Sequence, residues 1–441
     1  MNTQLERTLM SLASRAHKPL IPQIDGERLW QSLMELAQIG ATPKGGVCRL
    51  ALTDLDRQAR DLFIQWCEGA GCVVTCDTIG NLFARRPGRN PALAPVMTGS
   101  HIDTQPTGGK FDGCFGVMAG LEVIRTLNDH GIETEAPLEI VVWTNEEGSR
   151  FPPCMMGSGV FAGKFSVEET YSRCDASGIS VKQALEAIGY AGPRSAVGHP
   201  VGAYFEAHIE QGPILEDQGK TIGVVTGCLG QKWFDLTLTG VESHAGPTPM
   251  HLRKDALVGA AAVVEAVNRA AHLHLPHACG TVGCLEVYPA SRNVIPGQVQ
   301  MTIDFRHLDS THLDAMVAET TEAIENACQR HGLSYTLTPT ADFPPLHFKT
   351  GCVNAVRRGA QHYGYSYQDI VSGAGHDAIF VAELGPAAMI FVPCENGISH
   401  NEIENAQPEH LAAGCNVLLS AMLEMAGCSQ PVFEASVFPY Q

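Results

Sequence analysis

The chain alternates between short apolar runs and amphipathic segments with helical periodicity. The apolar runs have the length of buried strands, and the main ones are residues 72–78, 94–98, 138–143 and 387–392. The segments with helical periodicity are residues 26–37, 51–69, 116–128, 353–363 and 408–426, and Thr53 and Asp54 are candidate N-caps for the second. Because strands that alternate with helices form parallel sheets covered by helices, this pattern predicts an α/β fold with a mostly parallel sheet.

From about residue 219 the pattern changes to that of a smaller α+β domain. Residues 221–239 alternate as strands do, and they are followed by a helix at 254–271, strands at 280–288 and 298–306, a helix at 311–331 and a strand at 334–339. This order resembles the split β-α-β unit of ferredoxin-like domains. We therefore predict a discontinuous catalytic domain, residues 1–218 and 338–441, interrupted by an inserted domain at residues 219–337.

Composition and charge narrow the class of protein. The chain has 441 residues, 44% of them hydrophobic, and a formal net charge of -18, which disfavours nucleic acid or an anionic membrane as partner. Its fifteen cysteines include no CxxC pair, so they indicate neither a disulfide framework nor a structural zinc module. Residues 1–20 lack the apolar core of a signal peptide, and no apolar run approaches the length of a membrane span. We expect a cytoplasmic protein.

Two adjacent carboxylates, Glu146 and Glu147, stand just after the apolar run at 138–143. An isolated pair of this kind is most often a solvated loop, since charged residues are mostly exposed. In hydrolytic sites, however, one carboxylate binds a metal ion while another takes a proton from water. The other acidic and histidine-containing segments decide between these interpretations.

Three further segments carry histidine and acidic residues at or just past the ends of predicted strands. They contribute His101 and Asp112 on a glycine-rich loop, His208 in FEAHIEQGP, and His400 after the run at 387–392. Open α/β sheets place their sites at this edge, so we predict that these side chains converge. The five candidate ligands, which provide three to each of two ions if Asp112 bridges, are His101, Asp112, Glu147, His208 and His400.

Asp103, two residues after His101, is a candidate partner for the second ring nitrogen of that histidine. A lone His-x-Asp is more often a satisfied loop histidine. His376 and Asp377 are open to two interpretations, support behind the site or a helix N-terminus.

Eight segments together resemble a known enzyme family. They are GSHIDTQPTGGKFDG, TNEEGSRF, EAHIEQGP, GVESHAGPTPM, RNVIPG, DFRH, SGAGHDA and GISHNEIE. They resemble the branch of the dinuclear zinc aminoacylase and carboxypeptidase superfamily that contains N-carbamoyl-L-amino acid hydrolases, β-ureidopropionases and allantoate amidohydrolases. The resemblance runs from about residue 24 to the C-terminus. His208 separates this branch from peptidase relatives, which usually carry an acidic residue there.

The resemblance assigns roles to the metal-ligating and catalytic candidates. It implies that His101, Asp112 and His208 hold one divalent ion. It implies that Asp112, Glu147 and His400 hold the other, with Glu146 as general base. Zinc is the first expectation, and manganese, cobalt and nickel suit the same mixture of nitrogen and oxygen ligands.

The resemblance also implies a shared site in a homodimer. The inserted domain would be a lid and dimerisation domain whose His244 reaches the partner's active site and polarises the scissile carbonyl. The substrate contacts that it implies are Gln211, His244, Asn293, Arg306, Gly375 and His400. The residues alone leave alternatives, because His244 is also consistent with a plain loop histidine and Arg306 lies close to Asp304, a salt-bridge candidate.

The predicted activity is hydrolysis of the ureido C–N bond of an N-carbamoyl α- or β-amino acid, giving the amino acid, carbon dioxide and ammonia. Allantoate hydrolysis is the nearest alternative, since both substrates present a carboxylate beside a ureido group. A non-catalytic binding homologue is a third hypothesis, opposed by the complete ligand set and Glu146. A dipeptidase is disfavoured by His208.

Overall fold

The computed structural model describes residues 21–428 and divides them into two compact units. The first unit contains the described residues up to Thr226, Phe348–Ile370 and the described residues from Gly375 on. The second contains Gly227–His347 and Val371–Ala374. The segment tested for a signal peptide, residues 1–20, lies outside the described residues.

Fifteen strands are named below in chain order. They are β1 (Val73–Cys76), β2 (Leu82–Arg86), β3 (Val96–His101), β4 (Leu138–Trp143), β5 (Ala203–Ile209), β6 (Ile222–Cys228), β7 (Gly230–Thr239), β8 (Ser243–His244), β9 (Cys279–Tyr288), β10 (Val294–Ile295), β11 (Gln298–His307), β12 (Ser334–Phe343), β13 (Leu346–His347), β14 (Tyr367–Ser372) and β15 (Ala387–Val392). The α-helices are Gly26–Leu36, Asp54–Gly69, Cys114–Asp129, Met156–Phe161, Val167–Ser172, Val181–Ile188, Ile214–Asp217, Ala256–Leu273, Ser310–His331, Thr350–Tyr363, Ala378–Val381 and Pro408–Ala426.

The first unit is built on a mixed sheet whose centre is parallel. Its strands lie in the order β1-β2-β4-β3-β5-β15-β6, and β14 also pairs with β6. The four central strands, β4, β3, β5 and β15, run parallel, whereas β1, β2 and β6 are antiparallel additions at the flanks. Every residue of the four central strands is buried, which explains their continuous apolar runs. The predicted α/β class with a mostly parallel central sheet is confirmed.

Helices cover this sheet because their apolar faces are wide. Cys114–Asp129 packs against β3 and β5, and Pro408–Ala426 packs against that helix and against β15. The helix Asp54–Gly69 begins at Thr53, whose hydroxyl accepts a hydrogen bond from the Asp56 amide. Of the two N-cap candidates, Thr53 is therefore the one used.

The second unit has the element order β-α-β-β-α-β. Its four strands form an antiparallel sheet in the order β12-β7-β11-β9, and the helices Ala256–Leu273 and Ser310–His331 pack on that sheet through one core. The first of these helices alone, among the described residues, has the length and composition of a membrane span, contrary to expectation. Its buried alanine and valine side chains belong to the core of this unit, as in core helices of globular proteins.

The boundaries of the second unit differ from the predicted 219–337. Residues from Ile222 to Thr226 stay with the first unit because β6 pairs with β15. At the other end β12 continues past residue 337 to Phe343, because its pairing with β7 continues beyond a bulge near Pro339. A bulge interrupts the alternation of inward-facing and outward-facing side chains, so the sequence pattern predicted the end of this domain too early.

Candidate metal centre

The parallel pairing of the central strands brings four candidate segments to one edge of the sheet. His101, the last residue of β3, lies opposite Trp143, the last residue of β4, and Ile209 of β5 lies opposite Val392 of β15. Glu146 and Glu147 follow β4, and His400 follows β15. The predicted convergence is what parallel register produces.

A first cluster consists of His101, Asp112 and His208, all buried. The Nε2 atoms of His101 and His208 lie 3.6 and 3.2 Å from Asp112 Oδ1. Their Nδ1 atoms lie 2.9 Å from the carbonyl oxygens of Asp103 and Ile209. A carbonyl only accepts, so each Nδ1 carries a proton, and in the neutral ring Nε2 is the atom that binds a cation. At His208 this Nε2 also accepts a hydrogen bond from the Gly113 amide at 3.1 Å.

A second cluster consists of Asp112, Glu147 and His400. His400 Nε2 lies 3.2 Å from Asp112 Oδ2 and 3.5 Å from Glu147 Oε2. His400 has a φ of 52°, a left-handed conformation that non-glycine residues adopt rarely and often at functional sites. Asp112 thus directs one oxygen into each cluster, which is the arrangement of a bridging carboxylate.

The donor set fits two divalent cations. Imidazole nitrogens and carboxylate oxygens suit zinc and related ions, and three donors per cluster leave room for water and substrate. Burial would raise the pKa of Asp112, but hydrogen bonds with His101, His208 and His400 hold it well below its usual range. Burial and the neighbouring Asp112 charge raise the pKa of Glu147 to about 7. A cation beside Asp112 and Glu147 would offset the repulsion between their two negative charges.

Two glycines allow the loop to approach the cluster. Gly113 has a φ of 65°, and a Cβ atom there would lie 2.3 Å from His101 Nε2. A Cβ atom on Gly109 would lie 2.0 Å from a carboxylate oxygen of Glu404. Both positions therefore exclude a side chain while the histidine and the carboxylate keep their places.

Glu146 lies beside the clusters without being a member of either. Its Oε2 lies 3.5 Å from His101 Nε2, and the residue is only 8% exposed. Burial raises its pKa well above the ordinary value, and the negative charges of Asp377 and Glu147 add to that effect while His101 opposes it. A carboxylate with a raised pKa is suited to accept and hold a proton.

Asp103 supports the site differently from the prediction. Its backbone carbonyl, and not its carboxylate, meets His101 Nδ1. The carboxylate instead accepts hydrogen bonds from the backbone amides of Glu146 and Glu147, at 3.3 and 3.2 Å. The backbone after β3 turns the Asp103 carbonyl toward the His101 ring. The Asp103 side chain can therefore hold the turn that carries Glu146 and Glu147.

Several supporting residues were not predicted. Glu404 accepts hydrogen bonds from the backbone amides of Phe111 and Asp112, at 2.9 and 3.1 Å, and from the Ser399 hydroxyl at 2.9 Å. Gln105 donates to both oxygens of Glu147. The sequence signal for Glu404 was its place four residues after His400 in GISHNEIE, whereas Gln105 had none beyond its place in the first loop.

Of the three predicted substrate contacts in the first unit, His400 is already a member of the second cluster, and Gln211 and Gly375 lie close to the site. Gln211, with a φ of 59°, donates from Nε2 to Asp112 Oδ2 at 3.0 Å and to Ser399 Oγ at 3.2 Å. Gly375 precedes His376, whose ring centroid lies 4.6 Å from that of His208. His376 is therefore packed behind a candidate ligand, as one of its two interpretations required.

The other three predicted contacts, His244, Asn293 and Arg306, belong to the second unit. β8 pairs with β10, and the Ala245 amide donates to the Asn293 carbonyl at 2.9 Å, so the first two residues are neighbours. Arg306 donates from Nη2 to Asp304 Oδ2 at 2.7 Å and from Nη1 to the Gly373 carbonyl at 2.6 Å. The competing salt bridge is therefore formed.

Comparisons with known proteins agree along most of the chain. Residues 97–424 match the model of peptidase family M20/M25/M40. The N-carbamoyl-L-amino-acid amidohydrolase of Rhizobium meliloti is 47% identical over 404 residues, covering 92% of this chain and 97% of that protein. The allantoate amidohydrolase of Bacillus subtilis is 34% identical, with 89% and 95% covered. The solved structure of an amidase of the hydantoinase/carbamoylase family from Burkholderia multivorans is 57% identical, has a TM-score of 0.90 and covers 92% of this chain and 98% of that one.

Proposed function

We propose that this chain, which belongs to peptidase family M20/M25/M40 and to its hydantoinase/carbamoylase amidases, hydrolyses the ureido C–N bond of N-carbamoyl-L-amino acids. The observation that carries the proposal is the placement of the Asp112 carboxylate. Its two oxygens face two separate ligand clusters, and Glu146 lies beside them. The more similar of the two curated relatives above bears the name of this activity, and the allantoate enzyme is less similar.

The residues of the two clusters would hold two divalent cations. Such ions supply Lewis acidity, which polarises a carbonyl group and makes water a stronger acid. Zinc is our first choice of cation, with manganese, cobalt and nickel as alternatives that the same donors accept.

Glu146 is the proposed general base. Its buried carboxylate accepts the proton that water loses as it attacks the ureido carbonyl carbon, and then delivers that proton to the terminal nitrogen. The C–N bond breaks and ammonia leaves. The carbamate that remains decomposes to carbon dioxide and the free amino acid, so atoms and charge balance.

The second unit is the proposed lid and dimerisation domain of a homodimer. In this proposal His244 reaches the partner's site and donates to the carbonyl oxygen as negative charge develops there, a contact worth on the order of 3 to 4 kcal/mol when well placed. Asn293, Gln211, Gly375 and Arg306 contact the ureido and carboxylate groups. A guanidinium group suits a carboxylate because its planar fork binds both oxygens.

Arg306 must exchange partners in this proposal. Its present carboxylate partner, Asp304, is on the same strand and is partly exposed, so a substrate carboxylate competes with a solvated ion pair.

We also expect the enzyme in the cytoplasm, because the cysteines, all of which lie within residues 21–428, form no disulfide, as is typical of a reducing compartment.

A substrate panel tests the proposed function. kcat/KM is measured for N-carbamoyl-L-amino acids, N-carbamoyl-β-alanine, allantoate and a dipeptide, with metal-stripped protein and after addition of zinc or manganese. We expect the highest value for an N-carbamoyl-L-amino acid and loss of turnover on metal removal. Faster turnover of allantoate would assign the alternative substrate, and metal-independent turnover would refute the cation centre.

A further inference from the structure

The two ligand clusters are held in different ways. In the first, the side chains of His101 and His208 are only 3% and 1% exposed, and a backbone carbonyl fixes each ring. In the second, the side chain of His400 is 52% exposed. The second cluster is therefore less enclosed by packing, and its geometry depends more on how Glu147 is held.

One residue contacts both carboxylate oxygens of Glu147. The Gln105 backbone amide donates to Oε1 at 3.0 Å, and the Gln105 side-chain amide donates to Oε2 at 2.6 Å. Oε2 is also the oxygen that lies 3.5 Å from His400 Nε2. These two donors fix the rotation of the carboxylate group, so that Oε2 stays turned toward His400.

The position of Gln105 is itself set by the loop and not by the cluster. The neighbouring Thr104 exchanges hydrogen bonds with Arg49, since its amide donates to the Arg49 carbonyl at 2.9 Å and its hydroxyl accepts from the Arg49 amide at 2.8 Å. The Gln105 carbonyl accepts from the Gly108 amide at 3.1 Å. Gln105 can therefore orient Glu147 before any cation binds.

We propose that Gln105 is the positioning residue of the second cluster and sets the cation affinity of Asp112, Glu147 and His400 without affecting the first cluster. The proposal rests on the proposed dinuclear centre. Hydrogen-bond partners behind metal ligands typically contribute about 10- to 100-fold to metal affinity. Because the backbone donor remains when the side chain is replaced, we expect a loss within that range and not abolition.

The experiment is a titration of metal-stripped full-length protein with Mn²⁺, in which free Mn²⁺ is counted by electron paramagnetic resonance. Wild type should show two binding classes. Gln105→Met, which keeps the length of the side chain but lacks the donor, should weaken one class by about 10- to 100-fold and leave the other within about threefold. Glu147→Gln should remove the affected class.

A matched control is Gln31→Met, because Gln31 also donates from its side-chain amide to a glutamate, Glu27, but on an exposed helix at 3.2 Å. It should leave both binding classes unchanged. Gln105→Met should also recover wild-type kcat at saturating Mn²⁺ while losing activity at limiting Mn²⁺. A purely structural role predicts no such recovery.

The outcomes separate this proposal from the proposed function. If wild type hydrolyses ureido substrates and binds two Mn²⁺, but the affected class in Gln105→Met stays within about threefold, Gln105 is not the positioning residue. Equal weakening of both classes would assign Gln105 to general loop structure and also overturn the proposal. A wild-type protein that binds only one Mn²⁺ per subunit would refute the second cluster itself, and with it the dinuclear centre.

Discussion

Replacing Glu146 by glutamine tests the general base with little disturbance of the site. The substitution exchanges one carboxylate oxygen for an NH₂ group of similar size. The backbone of Glu146 is held by contacts that do not involve its side chain, an amide donation to Asp103 Oδ1 at 3.3 Å and acceptance from the Met155 amide at 2.6 Å. We therefore expect the turn, and both ligand clusters, to keep their places.

The expected loss of activity follows from the role assigned. A positioned general base typically contributes about 10²- to 10⁴-fold to rate, or roughly 3 to 5 kcal/mol of transition-state stabilisation. The free energy of unfolding should rise or stay the same. Burial and the neighbouring charges of Asp377 and Glu147 disfavour the ionised Glu146, so a neutral amide relieves these unfavourable terms.

The assay combines kcat on the best N-carbamoyl substrate with metal content and the melting temperature. Glu146→Gln should keep two cations per subunit, fold as wild type does, and lose at least about a hundredfold in kcat. Glu147→Gln is the matched control and should also lose one cation. A Glu146→Gln enzyme with more than about one-tenth of wild-type kcat would refute the base assignment.

Three further predictions concern stability and assembly. Arg60→Met should lower the free energy of unfolding in urea by about 3 to 5 kcal/mol, because it removes the buried charge partner that lies 3.0 Å from the Asp56 carboxylate. A loss below about 1 kcal/mol would contradict this. Burial raises the pKa of Asp77 to about 6 from the ordinary 3.8. The free energy of unfolding should therefore fall by roughly 3 kcal/mol as the pH rises from below 3.8 through 6, because the folded protein holds this proton more tightly than the unfolded chain does. Asp77→Asn should flatten that slope in stability measured against pH. Inactive His244→Ala and Arg306→Ala subunits should regain activity when mixed if the site is shared, and mixed dimers without activity would remove that claim.

Two of the strands that lead into the site were predictable over their whole length because every residue in them is buried and apolar or nearly so. The runs at 138–143 and 387–392 coincide with β4 and β15, since a strand covered on both faces needs apolar residues at every position. β2, β5 and β14 were not among the predicted apolar runs. β2 ends in two arginines, β5 carries Glu206 and His208 although it is buried throughout, and β14 is only partly buried, so none of them shows a continuous apolar run.

The sequence by itself determined the class of fold and the identity of the candidate ligands. Apolar runs of strand length dictate a buried sheet, and His101, Glu147 and His400 follow such runs closely enough to meet at its carboxyl edge. Only the tertiary structure decided which atoms face one another. Asp112 divides its two oxygens between two clusters, and Asp103 turns its carboxylate to the Glu146 amide and not to His101, because those orientations depend on backbone torsions and on partners distant in the chain.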